Sequence, residues 1–141
     1  MKRTASATWL GHLKQGKDSL TTQSGVLKET PLSFMTRFEN GVGTNPVELI
    51  AAAHAGCFTM ALTAQLSRAG LRPTRIHTGA KVKLEKVGEG FSITRIELET
   101  EAEIPGIDDA TFQRNALDAK QNCPVSKALA GTEIHLTATL L

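Results

Sequence analysis

Apolar residues recur along this chain in two rhythms, and each predicts a different element. In Ala80–Val87, Ala80, Val82 and Leu84 alternate with Lys81, Lys83 and Glu85, the period of a strand with one face on a core. After the Gly88–Gly90 turn, Phe91 and Ile93 lie on one parity, while Ile96, Leu98, Ala102 and Ile104 lie on the other. A strand keeps a single buried face through such a switch only by inserting one residue, so the pattern predicts a β-bulge near Thr94–Arg95. Glu97, Glu99, Glu101 and Glu103 then share one face, where they meet the lysines of the neighbouring strand. That face reads as solvated.

The second rhythm is nearly continuous. Leu49-Ile50-Ala51-Ala52-Ala53-His54-Ala55-Gly56-Cys57-Phe58-Thr59-Met60-Ala61-Leu62 is apolar on almost every helical face. Asn45 is a good N-cap, Pro46 suits the first helical position, and Glu48 stands where a capping box wants a carboxylate. Gly70 offers the stop. A helix this apolar must be surrounded, and one small chain has little with which to cover it, so a dimer is expected. Leu49 to Ser67 carries no formal charge and is long enough to span a bilayer. Its His54, Gln65, Thr59, Thr63, Gly56 and many alanines keep the hydropathy modest, which favours a core helix.

The remaining elements are shorter. Thr4–Leu10 reads as a strand, and Gly11, Gly16, Ser24-Gly25 and Pro31 punctuate further short strands before a Gly41-Val42-Gly43 loop. Beyond Pro105-Gly106, Asp108 caps a helix through about Gln121, with Phe112, Ala116 and Leu117 facing inward. Cys123-Pro124 opens a short helix ending near Gly131, and Ile134, Leu136, Ala138 and Leu140 mark a last strand. Strands, a buried helix, two strands, helices and a strand make an α+β fold, and 141 residues fit one domain over 1–141.

Composition removes several functions. One Trp, five Phe and no Tyr leave little for a stacking platform, and a net charge of +2 without a Lys/Arg block is no nucleic-acid footprint. The start, Met1-Lys2-Arg3-Thr4-Ala5-Ser6-Ala7, has no apolar run behind it and does not read as a signal peptide. A cytoplasmic protein is expected, with no membrane partner and both cysteines reduced and available.

Those two cysteines carry the candidate chemistry. Cys57 lies midway along the apolar helix, where a cysteine is equally a small buried hydrophobe. Cys123, before Pro124, falls at an N-cap, where unpaired amides and the helix dipole favour a thiolate, a good leaving group and resolver in disulfide exchange. His54 precedes Cys57 by three residues and shares its face, which permits a Cys–His pair as well as a satisfied core histidine. No two of Cys57, Cys123 and His54 have the close spacing of zinc ligands, and the four histidines are scattered. Taken locally, Arg37 reads as a surface cation and Glu48 as the capping acid.

Three runs change that weighing. Thr36-Arg37-Phe38-Glu39, the stretch from Gly43-Thr44-Asn45-Pro46-Val47-Glu48 through Ala53-His54-Ala55-Gly56-Cys57-Phe58 to Leu62, and Asn122-Cys123-Pro124-Val125-Ser126 together resemble the OsmC/Ohr family. These are the osmotically inducible protein C and organic hydroperoxide resistance proteins; Ser24-Gly25-Val26-Leu27 and Pro105-Gly106-Ile107-Asp108 look closest to the OsmC branch. The resemblance implies an intertwined α+β homodimer with antiparallel-rich sheets wrapped around central helices. It implies Cys57 as peroxidatic cysteine, Cys123 as resolving cysteine, and Arg37 and Glu48 as the activating polar pair. It also implies a peroxidase for organic hydroperoxides, reset by a dihydrolipoyl-type dithiol or other small thiol, needing no haem, flavin or metal cofactor.

The physics of such a site is consistent with those roles. Burial disfavours the thiolate that peroxide cleavage needs, a guanidinium reverses the penalty, and a carboxylate holds the guanidinium. Glu48 and Cys57 are nine residues apart, about 180° around a helix and roughly 13.5 Å along it. A straight helix cannot join them, so sites shared between two chains are expected; the competing possibility is a sharp kink near Gly56, or an Arg37 long enough to bridge within one chain. The competing readings are a general thiol–disulfide reductase and a non-catalytic, stress-related binding protein.

Overall fold

A computed structural model describes residues 1–32 and 43–141, so Arg37 and the Gly41-Val42 part of the predicted loop lie outside the described residues. The chain forms two compact units, Met1–Leu49 and Ile50–Leu141.

In the first unit, β1 (Ala5–Leu10), β2 (Lys17–Thr22) and β3 (Thr30–Leu32) form an antiparallel sheet in the order β1-β2-β3. Next to β3, Thr44 N–H donates to the Pro31 carbonyl at 3.0 Å, and Leu32 and Thr44 form a parallel bridge. Gly43 makes this approach possible: its φ is +105°, and a Cβ there would collide with the Pro31 carbonyl. The helix start is thereby pinned to the sheet. Helix α1 then runs Pro46–Arg68, capped as expected by Asn45, whose Oδ1 accepts from Glu48 N–H at 2.9 Å.

The second unit holds the rest of α1 together with β4 (Arg75–Val87), β5 (Gly90–Glu103), α2 (Asp109–Asn122), α3 (Pro124–Ala128) and β6 (Glu133–Leu140). Its sheet runs β4-β5-β6. The β4–β5 hairpin is antiparallel, and its register passes from Lys83↔Arg95 to Leu84↔Ile93. Thr94 is therefore the inserted residue of the expected bulge. Strand β6 pairs with β5 in parallel, from Arg95↔Glu133 to Ala102↔Leu140. A parallel neighbour cannot be reached by a tight turn, and α2 and α3 supply the crossover.

The core of this unit joins Phe58, Leu62 and Leu66 of α1 to Ile96, Leu98 and Ala102 of β5, Ile104 just beyond it, and Phe112, Ala116 and Ala119 of α2. The Asp108 cap is as read from sequence, its Oδ1 accepting from Thr111 N–H at 2.8 Å. Leu117 is a correction: it is 47% exposed, and Ala119 takes the inward place. Positions 112, 116 and 119 repeat at four and three residues and share a face; 117 falls off that row.

Within this chain α1 buries one row, His54, Phe58, Leu62 and Leu66. Ala52, Ala53, Gly56 and Met60 are exposed, Met60 to 74%. By length and composition α1 is also apolar enough to cross a membrane, at 23 residues and a mean hydropathy of 1.4. Its four-residue row against the core makes one face protein-facing.

Candidate active site

The crossover brings the two cysteines together. Cys57 sits in the fourth turn of α1, half-buried, and Cys123 is fully buried where α2 ends and α3 begins. Backbone bonds hold Cys123 on both sides: its N–H donates to the Ala119 carbonyl at 2.9 Å, and its carbonyl accepts from Lys127 at 3.0 Å. Pro124 fixes the first residue of α3. The Cys123 thiol then donates to Cys57 Sγ across 2.8 Å.

This corrects the expectation that the α3 amides support the Cys123 sulfur. Cys123 occupies the N-cap but makes no side-chain cap bond. A Ser or Asp oxygen at this position would turn back onto its own helix; the cysteine sulfur instead faces α1. It is Cys57 that receives an α3 amide, the backbone N–H of Val125. Burial pushes the Cys57 thiol up and the Cys123 hydrogen bond pushes it further, while the Val125 N–H, which favours the charged form, opposes both. The cysteines alone therefore leave Cys57 protonated, and a thiolate here needs an added positive charge.

His54 does not make the Cys–His pair its spacing permits. Its Nε2 is hydrogen-bonded to Ser126 Oγ at 2.7 Å, both residues being buried, and either group can donate. Among the described residues Nδ1 is buried without a partner, and burial lowers the histidine pKa, so the ring is held neutral. Glu48, in the first turn of α1, is exposed, and its Oε1 accepts from the Thr44 hydroxyl at 3.2 Å. Ser126 and the Val125 amide were not singled out from the sequence. The signal was there in two matched intervals of three, His54 to Cys57 and Cys123 to Ser126. Among the described residues no group of three or more His, Cys, Asp or Glu could hold a metal ion.

A buried thiol touching a half-exposed one, 66 positions apart in sequence, is suited to reversible disulfide chemistry at the half-exposed sulfur. The family model described as OsmC-like protein matches residues 38–138. The chain belongs to that family. Within it, the chain is 53% identical over 123 residues to the peroxiredoxin OsmC of Escherichia coli, covering 87% of this chain and 86% of that protein. It is 36% identical over 140 residues to the organic hydroperoxide resistance protein of Xanthomonas axonopodis pv. citri, covering 97% and 93%. Among solved structures, an organic hydroperoxide resistance protein from Elizabethkingia anophelis superposes with a TM-score of 0.71 at 29% identity, covering 99% and 96%. The OsmC/Ohr resemblance and the α+β fold class read from the sequence are both borne out.

Proposed function

We propose that this OsmC-family chain is a thiol-dependent peroxidase that reduces organic hydroperoxides to alcohols. The observation that carries the reading is the 2.8 Å approach of Cys123 Sγ to Cys57 Sγ, and the relatives named peroxiredoxin and organic hydroperoxide resistance protein support it. The Cys57 thiolate attacks the outer peroxide oxygen, the O–O bond breaks, and the alkoxide leaves as alcohol after taking a proton. Cys57 becomes a sulfenic acid. The Cys123 sulfur then displaces its oxygen as water and closes a Cys57–Cys123 disulfide before further oxidation. A small dithiol reopens the bond by exchange.

In this reading Arg37 supplies the positive charge that the described neighbours of Cys57 do not, and Glu48 orients that guanidinium. The uncovered Ala52, Ala53, Gly56 and Met60 face of α1 meets its equivalent in a second copy, making a cytoplasmic homodimer of single domains with shared sites. Peroxide consumption with cumene hydroperoxide against hydrogen peroxide, each with dithiol or monothiol, tests the activity; the organic peroxide with dithiol should turn over fastest. Thiol oxidation that continues without any hydroperoxide would instead identify a general thiol–disulfide reductase. Mixed dimers of Cys57→Ser and Glu48→Ala chains should recover up to one working site. Verified heterodimers without activity would rule out sharing through Glu48.

A further inference from the structure

Histidine 54 occupies a position the core would fill better with a hydrocarbon. It begins the buried row His54, Phe58, Leu62 and Leu66, yet it brings an imidazole of which one nitrogen is buried without a partner among the described residues. An unsatisfied buried polar atom costs stability, and an apolar side chain of similar shape avoids that cost. Packing does not account for the residue. What it gains is the 2.7 Å bond to Ser126, which together with the thiol contact joins α1 to α3 by two rungs. The rungs run in opposite senses, His54 preceding Cys57 by one turn and Ser126 following Cys123 by one turn.

Their chemistry differs in one respect. The Cys57–Cys123 contact changes in each cycle, because Cys57 Sγ takes up an oxygen and Cys123 Sγ, losing the thiol proton it donates here, must then attack from the side opposite that oxygen. The His54–Ser126 bond contains no sulfur, so oxidation of either cysteine removes neither its donor nor its acceptor.

We propose that His54 is a positioning residue for the resolving step, its hydrogen bond to Ser126 holding the start of α3 against α1 so that Cys123 reaches the oxidised Cys57. The inference rests on the peroxidase reading above. In the step concerned, the Cys57 S–O bond breaks and the S–S bond forms. The Cys57 sulfur is reduced, the Cys123 sulfur is oxidised, and the thiol proton leaves with the hydroxide as water.

The test treats fully reduced wild type, His54→Leu, His54→Gln, Ser126→Ala and Ser126→Thr with one equivalent of cumene hydroperoxide. Loss of the first thiol is followed separately from disulfide closure, and dimedone trapping with mass spectrometry gives the fates of Cys57. His54→Leu and Ser126→Ala should lose the first thiol at the wild-type rate, close the disulfide about tenfold more slowly, and accumulate dimedone adduct and sulfinic acid on Cys57; that tenfold corresponds to about 1.4 kcal/mol. Glutamine, whose amide extends toward the Nε2 position, and threonine, which keeps a hydroxyl, should restore most of the closing rate. Wild-type closure in both His54→Leu and Ser126→Ala would overturn the proposal, as would equal slowing of both steps, which marks a general packing defect. Should His54→Leu fail to fold, Ser126→Ala, the loss of one oxygen, carries the test. A parallel arm activates the thiols with diamide instead of peroxide. Wild type that ignores hydroperoxide sinks the peroxidase reading, and slow diamide closure in Ser126→Ala still supports the tie.

Discussion

Two sets of polar contacts of nearly equal length stand in opposite surroundings. On the outer face of the β4–β5 hairpin, Arg75 pairs with Glu101 at 3.0 Å and Lys81 with Glu99 at 2.9 Å, and all four side chains are 44–69% exposed. Away from that face, buried His54 meets buried Ser126 at 2.7 Å, and buried Cys123 meets half-buried Cys57 at 2.8 Å. Distance does not separate the two sets, but water does. Each surface pair exchanges good hydration for a screened attraction and contributes little. Each contact of the second set replaces hydration already lost, so removing one partner strands the other. The ladder keeps the hairpin face hydrated, and the rungs join α1 to the start of α3.

The largest effect expected from attacking this contrast is at the sulfurs. Cys57→Ser should abolish turnover entirely, while Cys123→Ser should leave one stoichiometric reaction with hydroperoxide and a Cys57 prone to over-oxidation. Thiol titration and mass spectrometry after one equivalent check both, and the wild type should show an intrachain bridge. Exclusively interchain bridges would overturn the resolving step as drawn.

Next in size is the packing beneath the rungs. Phe58→Ala, in the row that follows His54, should lower unfolding stability by about 3–5 kcal/mol, read as a fall in urea midpoint without change in slope. A loss under 1 kcal/mol would show a site free to collapse.

A smaller effect should separate His54 from the surface by pH. Because burial lowers the His54 pKa, the unfolded chain takes up this proton before the folded protein does. The His54 contribution is therefore fully present above the ordinary histidine value of about 6.5 and is lost as pH falls toward the folded value. His54→Gln should show a shallower loss of urea midpoint between about pH 7.5 and pH 5 than wild type. Equal slopes in the two proteins would mean that other groups dominate. Least of all should follow from Lys81→Ala, which should leave the midpoint unchanged at moderate salt; a clear drop would mean that the ladder contributes more than its exposure allows.

The parts of the fold legible in the sequence were those with local causes. Asn45-Pro46 marked the start of α1 and Asp108 that of α2. The parity switch between Ile93 and Ile96 located the bulge that the register places at Thr94. Leu117 was misread because on an amphipathic helix one residue's rotation, about 100°, separates core from solvent. The parallel pairing of β6 was not legible, since a strand's alternation carries no sign of its neighbour's direction.

At the site, the cysteines stood out by type, and the family motifs implied roles for them. The direction of the Cys123 thiol did not, because it depends on a choice between its own helix and a residue 66 positions away. Ser126 stayed hidden for the same reason. Its partner is remote in sequence, and a serine one turn into a helix looks like any other.

The crossover that carries Cys123 back toward α1 has an energetic consequence for the oxidised protein. A bridge between Cys57 and Cys123 would close a loop 66 positions long, and on the chain-entropy account such a loop removes roughly 4 kcal/mol of freedom from the unfolded chain. The oxidised form should then melt well above the reduced form, so each turnover moves the protein between a tougher and a softer state. The linkage runs both ways. Whatever the bond adds to the fold, the fold adds to the bond, and the reducing thiol must work against the folded state of the whole second unit.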